Sequence, residues 1–246
     1  MDVSTYVLLS HEQALRRRMD VTANNMANSN TVGFKREQPL FHEYVERTRE
    51  APVADAKRTS FVLDHGAVHD SSLGAFQATG NPLDVMIDGP GYLAVQVGDN
   101  IAYTRAGMIK VQDDGTLVTS AGHPLLGENG QPINVPPEQR HSTAIAADGT
   151  VMTVDGPAGR LGVTLFANEL QVSPRGDGLM TGDGGEVLAA DATRLRVGGV
   201  EGSNVQPIVE TSAMVEVMRA YQSSMRMSES LNELRKQAIS KLGTVK

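Results

Sequence analysis

His65 and His69 stand four apart, the spacing with which a helix offers two imidazoles to one zinc ion. Gly66 lies between them and no Glu stands beside His65, so the pair reads as surface histidines in a connector. Asp113-Asp114-Gly115 lacks the alternating ligands and terminal Glu of a calcium loop, and reads as a hairpin turn. Gly176, Gly178 and Gly182 spell GxGxxxG, neither a dinucleotide fingerprint nor a P-loop, because no Lys-Ser/Thr follows. Arg175-Gly176-Asp177 spells an adhesion tripeptide too short to carry weight. No GxSxG elbow presents a nucleophile. Asp84 and Asp88 could be called a carboxylate pair, but nothing in the sequence sets their separation. The absence of cysteine excludes thiolate metal ligands, cysteine nucleophiles and disulfides. The residues that do chemistry elsewhere therefore point here to no enzyme, no metal and no cofactor.

The elements that would position such groups tell more. The 246 residues are 40% hydrophobic and 21% charged, with 4% aromatics, no Trp and 11 Met, an ordered chain of one or two domains. No apolar run approaches the ~18 residues needed to span a bilayer. The start of the chain has no basic n-region, Val7-Leu8-Leu9 is too short for a signal peptide core, and Arg16-Arg17-Arg18 has no apolar segment behind it. The expectation is a protein that is cytoplasmic or leaves the cell without a cleaved signal. The net charge of −7 is uneven: residues 1–50 sum to zero, 207–246 to +2 and 51–206 to −9. An acidic middle argues against a nucleic-acid groove.

The pattern predicts an α+β protein, with helices at both ends and antiparallel β structure between. Leu8, Leu15, Met19, Thr22 and Met26 fall on one narrow stripe at 100° per residue, predicting a helix from Thr5 to about Met26. Asn24, Asn25, Asn28, Asn30 and Gly33 tolerate left-handed backbone and mark its stop. A second helix is expected from about Glu210 to Leu242, free of Pro and Gly. It carries one stripe of Met214, Met218, Tyr221 and Met225, and another of Leu231, Leu234, Ala238 and Leu242. Between the helices, Asp-Gly pairs recur at Asp88, Asp114, Asp148, Asp155, Asp177 and Asp183, the signal of tight hairpin turns. Residues 36–80, with Pro39, Pro52 and scattered charge, read as an extended or irregular connector. Met and Leu stripes usually mean a core within one domain. Here they lie at opposite ends of the chain, and pairing them leaves apolar surface for other subunits. Surfaces of that kind build open helical assemblies.

Four blocks carry a resemblance. Ala23–Lys35 (ANNMANSNTVGFK) resembles the N-terminal signature of the bacterial flagellar rod and hook family. Thr79–Val95 (TGNPLDVMIDGPGYLAV) is similar to the segment that opens the β domain of its rod members, and Tyr103–Leu126 (YTRAGMIKVQDDGTLVTSAGHPLL) to the hairpin block after it. Gly202–Met227 (GSNVQPIVETSAMVEVMRAYQSSMRM) resembles the C-terminal signature. Tyr6-Val7 and Leu15–Asp20 look most like the proximal-rod member, and the distal-rod member is the nearest competitor. Val32, Met108 and the Gln222-Ser223 pair depart from the usual residues.

The resemblance implies a structural subunit of the periplasmic rod of the basal body. Such a subunit leaves the cell through the flagellar type III export apparatus, without a cleaved signal peptide. It polymerises with copies of itself and with neighbouring proximal- and distal-rod proteins into the drive shaft to the hook. The implied organisation is a stalk of coiled-coil type from residues 1–35 and 205–246, a connector at 36–80 and an antiparallel β domain at 81–204. By the same resemblance, Leu8, Leu15, Met19 and Met26 pack on Met214, Met218, Tyr221 and Met225, while Leu231, Leu234 and Ala238 face neighbouring subunits. Asn24, Asn25, Asn28 and Asn30 satisfy backbone groups at the handover to the connector. Gly33 supplies an unusual backbone angle, and Phe34 anchors against the C-terminal helix. No nucleic acid and no small-molecule substrate is expected. The rival from another class is a cell-wall hydrolase, which wants a paired-carboxylate cleft.

Overall fold

The computed structural model describes residues 3–47, 58–168 and 172–243. The chain divides into two compact units. One comprises residues 1–27, 37–68 and 206–246, the other residues 28–36 and 69–205.

The first unit holds the terminal helices α1 (Val3–Ala27) and α2 (Pro207–Gly243) and the strands β1 (Glu37–Arg47) and β2 (Arg58–His69), which pair as a two-stranded sheet. Pro207 opens α2, where its missing N–H costs nothing and its fixed φ suits the first turn. Glu210 lies in the first turn and Lys241 in the last, each at the end of the helix dipole that favours its charge. The two helices run antiparallel: Asn25 meets Glu210 at one level, and the Ser224 hydroxyl donates to Glu12 Oε1 at 3.4 Å at another. Along α1 the residues turned from solvent include Leu8, Glu12, Leu15, Met19, Thr22 and Met26, four and three apart by turns, and Asn25 beside them reaches Glu210 on α2. Along α2 they are Glu210, Met214, Val217, Tyr221, Ser224, Ser228 and Leu231, with the same alternation. A second face of α1 meets the strands. There the Val62 N–H donates to Ser10 Oγ at 3.5 Å and Arg17 stands 3.2 Å from the Asp64 carboxylate.

The second unit is antiparallel throughout its described pairings. A six-stranded sheet runs through β5 (Tyr92–Val97), β6 (Asn100–Thr104), β12 (Val163–Leu165), β13 (Val172–Pro174), β14 (Met180–Gly182) and β15 (Glu186–Val187), in the order β13-β14-β6-β5-β12-β15. Three small sheets of two strands join β3 (Phe76–Ala78) to β17 (Gly199–Glu201), β4 (Val85–Ile87) to β16 (Leu195–Val197), and β7 (Ile109–Val111) to β8 (Leu117–Thr119). A three-stranded sheet holds β9 (Ala144–Ile145), β10 (Thr150–Thr153) and β11 (Gly156–Arg160). Buried Val85, Leu93, Val95, Ile109, Leu117, Val151, Val163 and Leu195 join the six-stranded, three-stranded, β4–β16 and β7–β8 sheets in one core.

The turns follow the Asp-Gly signal. Gly115 and Gly149 take φ of +91° and +85°, and the aspartates before them accept the N–H of Thr116 and Thr150 at 2.9 and 3.0 Å. DDGTLVT and ADGTVMT therefore build the same turn twice. Asp88-Gly89 is different: it hands the chain from β4 to β5, which belong to different sheets.

Residues 36–80, read from sequence as an extended or irregular connector, contain β1, β2 and β3 and divide between the units. Pro39 is tolerated because it stands near the start of β1, and the ribbon is open to solvent on both faces at residues 42–45 and 63–65, where its charges are accommodated. Pro52 lies outside the described residues.

Candidate functional site

The expected interface residues separate into three groups. Leu15 and Asn25 are buried within the helical unit, and Leu8, Met19, Met26, Met214, Tyr221 and Leu231 are half-buried on the facing sides of its helices. Met218, Met225 and Leu234 are 44%, 39% and 61% exposed, and Ala238 is exposed as well. Asn24 and Asn30 are exposed, whereas Asn28 closes a turn, its Oδ1 accepting from the Thr31 hydroxyl at 3.1 Å. Met218 and Met225 thus do not carry the packing on α1. Val217 and Ser224, one residue earlier in each case, hold the inward positions. The reason is the repeat: facing helices bury positions alternately four and three apart, and a stripe drawn through the largest apolar side chains drifts onto the shoulder.

The shoulders of α2 are themselves apolar. Ile208, Val215, Met218 and Met225 line one, and Val209, Met227 and Leu234 the other, all exposed. Successive residues turn by about 100°, which puts these two stripes on either side of the inward face. With Asn25 beside Glu210 and Glu12 beside Ser224, Val3 stands level with Glu233. Leu234 and Ile239, 61% and 71% exposed, lie beyond that level.

The second unit contains a charged centre that sequence reading missed. Lys35 Nζ donates to Glu201 Oε1 and to the Ser72 carbonyl, both at 2.7 Å. Arg105 Nη1 donates to Glu201 Oε2 at 3.2 Å, and its Nη2 to the Gly89 carbonyl at 2.7 Å. The Gly74 N–H adds a bond to Glu201 Oε1 at 2.8 Å, and the Arg105 guanidinium stands 5.4 Å from the centroid of the Tyr92 ring. All three ionised side chains are at least 96% buried. Burial pushes the Lys35 ammonium below its usual range and the Arg105 charge adds to the drop, while the hydrogen bond and charge of Glu201 pull the other way.

Around this centre the flanking segments are laced together. The Gly33 N–H donates to the Glu201 carbonyl at 2.8 Å, and Phe34, half-buried, accepts the Asn204 N–H at 3.4 Å. The Arg36 N–H donates to Asn204 Oδ1 at 2.7 Å, and Asn204 Nδ2 to the carbonyls of Asp70 and Ser72 at 2.9 and 3.0 Å. Gly33 takes φ +71°.

Asp70 Oδ1 accepts the Ser72 N–H at 2.9 Å; this bond first, and the Ser72 hydroxyl second, hold the Asp70 carboxyl below its usual range. A lowered carboxyl contributes stability above its unfolded pKa, lost as the pH falls through the folded one. Asp70→Asn should therefore flatten the acid limb of a stability curve, the urea midpoint falling less than in the parent between about pH 5 and pH 2. An acid limb of unchanged slope would remove Asp70 from the account.

The remaining chemistry candidates take ordinary roles. Asp84 is buried and accepts from the Thr79 hydroxyl and Asn81 Nδ2 at 2.7 and 3.0 Å, while Asp88 is exposed. Asp113 pairs with Arg140. His65 and His69 lie on β2, where positions four apart are about 13 Å apart along the strand, too far to share a metal ion. His65 instead meets the His42 ring edge to face at 4.5 Å. Among the described residues no helix is long and apolar enough to cross a membrane.

Comparison with known proteins decides the family. Three family models match: "Flagella basal body rod protein" at residues 6–35, "Flagellar hook protein FlgE/F/G D1 domain" at 86–153, and "Flagellar basal body rod FlgEFG protein C-terminal" at 196–241. The flagellar basal-body rod protein FlgF of Caulobacter vibrioides is 34% identical, with all of both chains covered. The chain belongs to the flagellar basal-body rod proteins. FlgF of Salmonella typhimurium is 33% identical over 95% of each chain, and FlgG of Bacillus subtilis 32% identical over 94% of this chain and 96% of its own. As a member most like FlgF, the chain is a structural subunit of the rod, located in the flagellar basal body, and assembles with other rod components. Lys35 ends the N-terminal match, and Glu201 and Arg105 fall within the other two. The ion centre is thus built from one residue of each matched block. No spacing rule could reveal it, because each charge alone reads as a solvated side chain.

Proposed function

We propose that the chain is a proximal-rod subunit that polymerises through its terminal helices, in a stalk of coiled-coil type, and so helps transmit torque from motor to hook. The observation that carries this reading is α2, which covers one face in cis and leaves two apolar shoulders bare. Helices bare on both shoulders suit packing on helices of other subunits, copies of itself and neighbouring rod proteins, as the 4-3 alternation of the inward face already suits packing on α1. Leu234, Ala238 and Ile239 extend that surface beyond the level of Val3. The reading includes passage through the flagellar type III export apparatus to the periplasmic side without a cleaved signal, and no enzymatic activity, cofactor or small-molecule substrate. Torque then passes through many small interlocking contacts.

The assignment to the proximal rod rests on the FlgF relatives and on the Tyr6-Val7 and Leu15–Asp20 resemblance. The FlgG relative, which spans nearly the same length, favours the distal rod as second reading. Locating the subunit in isolated basal bodies separates the two. The test of assembly through helices is Met218→Asp, which puts a carboxylate on an exposed shoulder and leaves the inward face intact. Swimming and rod assembly should be lost while the thermal unfolding of the purified chain is unchanged. Normal swimming would take this shoulder out of the interface.

A further inference from the structure

The helix pair has a register problem that its apolar residues do not solve. The inward line of α2 repeats every seven residues, and the side chains at successive repeats (Glu210, Val217, Ser224, Leu231) are of mixed size and polarity. A shift of α2 by one repeat against α1 would keep every inward position inward, so the four-and-three alternation by itself does not choose between the two alignments. Something polar must choose.

Asn25 meets that requirement. It is 1% exposed, and its amide is engaged on both sides. Its Oδ1 accepts the Glu37 N–H at 2.8 Å and its Nδ2 donates to the Glu37 carbonyl at 2.9 Å, so the side chain pairs with the first residue of β1 as a strand neighbour would. The other hydrogen of Nδ2 is directed to Glu210 Oε2 at 3.4 Å on α2. One buried amide thus joins α1, β1 and α2, and Glu210, also 1% exposed, is the α2 side chain that reaches it. In a register moved by seven residues Val217 would face this amide, leaving one Nδ2 hydrogen buried without an acceptor and Glu210 displaced from its buried position. A buried donor left unpaired and a buried carboxylate moved off its hydrogen bond both disfavour that register.

We propose that the Asn25–Glu210 contact is the register-setting pin of the terminal helix pair, deciding which of the near-equivalent alignments the two chain ends adopt. This rests on the reading that the helix pair is the assembling element, and it adds what fixes the geometry of the surface that pair offers to other subunits.

The chain has no cysteine of its own, so introduced pairs report cleanly. In the native register Met19 is level with Val217, because Asn25 is beside Glu210 and Glu12 beside Ser224. Full-length chain carrying M19C/V217C should cross-link within one molecule under mild oxidation, and chain carrying M19C/S224C should not. Adding Asn25→Leu should keep the far-UV helix signal while the yield of the native pair falls several-fold and the slipped pair appears. Retention of the native pair alone, with helix content intact, overturns the proposal, as does a parent chain that gives no M19C/V217C product. If Asn25→Leu gives neither product, Glu210→Leu decides, since it removes the contact across the helices and leaves the pairing of Asn25 with Glu37 in place. Appearance of the slipped pair then supports the pin, and an undisturbed native pair or none overturns it. Swimming of Met218→Asp cells reads the assembly surface separately, so the two ideas fail independently.

Discussion

Glu201→Gln is expected to lower the stability of the chain by about 3–5 kcal/mol, because it leaves two buried cations facing a neutral amide. In the native protein the Glu201 carboxylate accepts from Lys35 Nζ, Arg105 Nη1 and the Gly74 N–H, and no water-exposed route exists for either cation at 2% and 4% side-chain exposure. The amide keeps the shape but removes the charge, and its NH2 group must point at one of the donors. At roughly 2–4 °C per kcal/mol for a chain of this length, the thermal midpoint should fall by about 6–20 °C. The informative control is the triple change Lys35→Met, Arg105→Met and Glu201→Leu. Replacing a whole buried ion cluster with apolar groups is often neutral or stabilising, so this variant should melt well above the single one. If Glu201→Gln melts within about 2 °C of the parent, the cluster is not the closed centre described.

Gly33→Ala is the second large effect, about 2–5 kcal/mol from two causes acting together. With φ at +71°, a side chain at this position pays the left-handed penalty of about 1–2 kcal/mol. A Cβ there would also sit 2.5 Å from the Ala106 nitrogen and the Arg105 carbonyl carbon, which are backbone atoms that cannot swing aside. The segment 28–36 would have to lift from Arg105, disturbing the bond from the Gly33 N–H to Glu201. Gly98→Ala separates the two causes, since Gly98 has φ +61° with nothing within 4 Å of its would-be Cβ. That variant should lose only about 1–2 kcal/mol. Equal urea midpoints for the two variants would mean that the close approach at Gly33 carries no energy.

The terminal helices were legible because the stripe of Leu8, Leu15, Met19 and Met26 and the run after Pro207 combine helical spacing with the absence of interior Pro and Gly. The hairpin at Asp114-Gly115 was legible because that turn needs positive φ, which Gly supplies, and an acceptor for the next amide, which Asp supplies. β1 and β2 were hidden because both faces of the ribbon are open to solvent at Glu43 and Tyr44 and at Leu63 and Asp64, so no apolar and polar alternation marks the strands. The inward face of α2 was read too far round because Met218 and Met225 outrank Val217 and Ser224 in apolar size, and size does not decide which position faces a neighbour. Of the asparagines before the connector, only Asn25 is buried, and composition treats all four alike. Lys35, Arg105 and Glu201 come from distant parts of the chain and meet only in the folded second unit.

The antiparallel run of α1 and α2 also decides where a reporter can be attached. Val3 stands level with Glu233, so labels attached at these two positions sit at the same end of the helix pair, near Leu234 and Ile239. Moving a label from one of these positions to the other therefore gains little. The turn at Gly98-Asp99, exposed between β5 and β6, offers a separate site for an inserted epitope, remote in sequence from both helices.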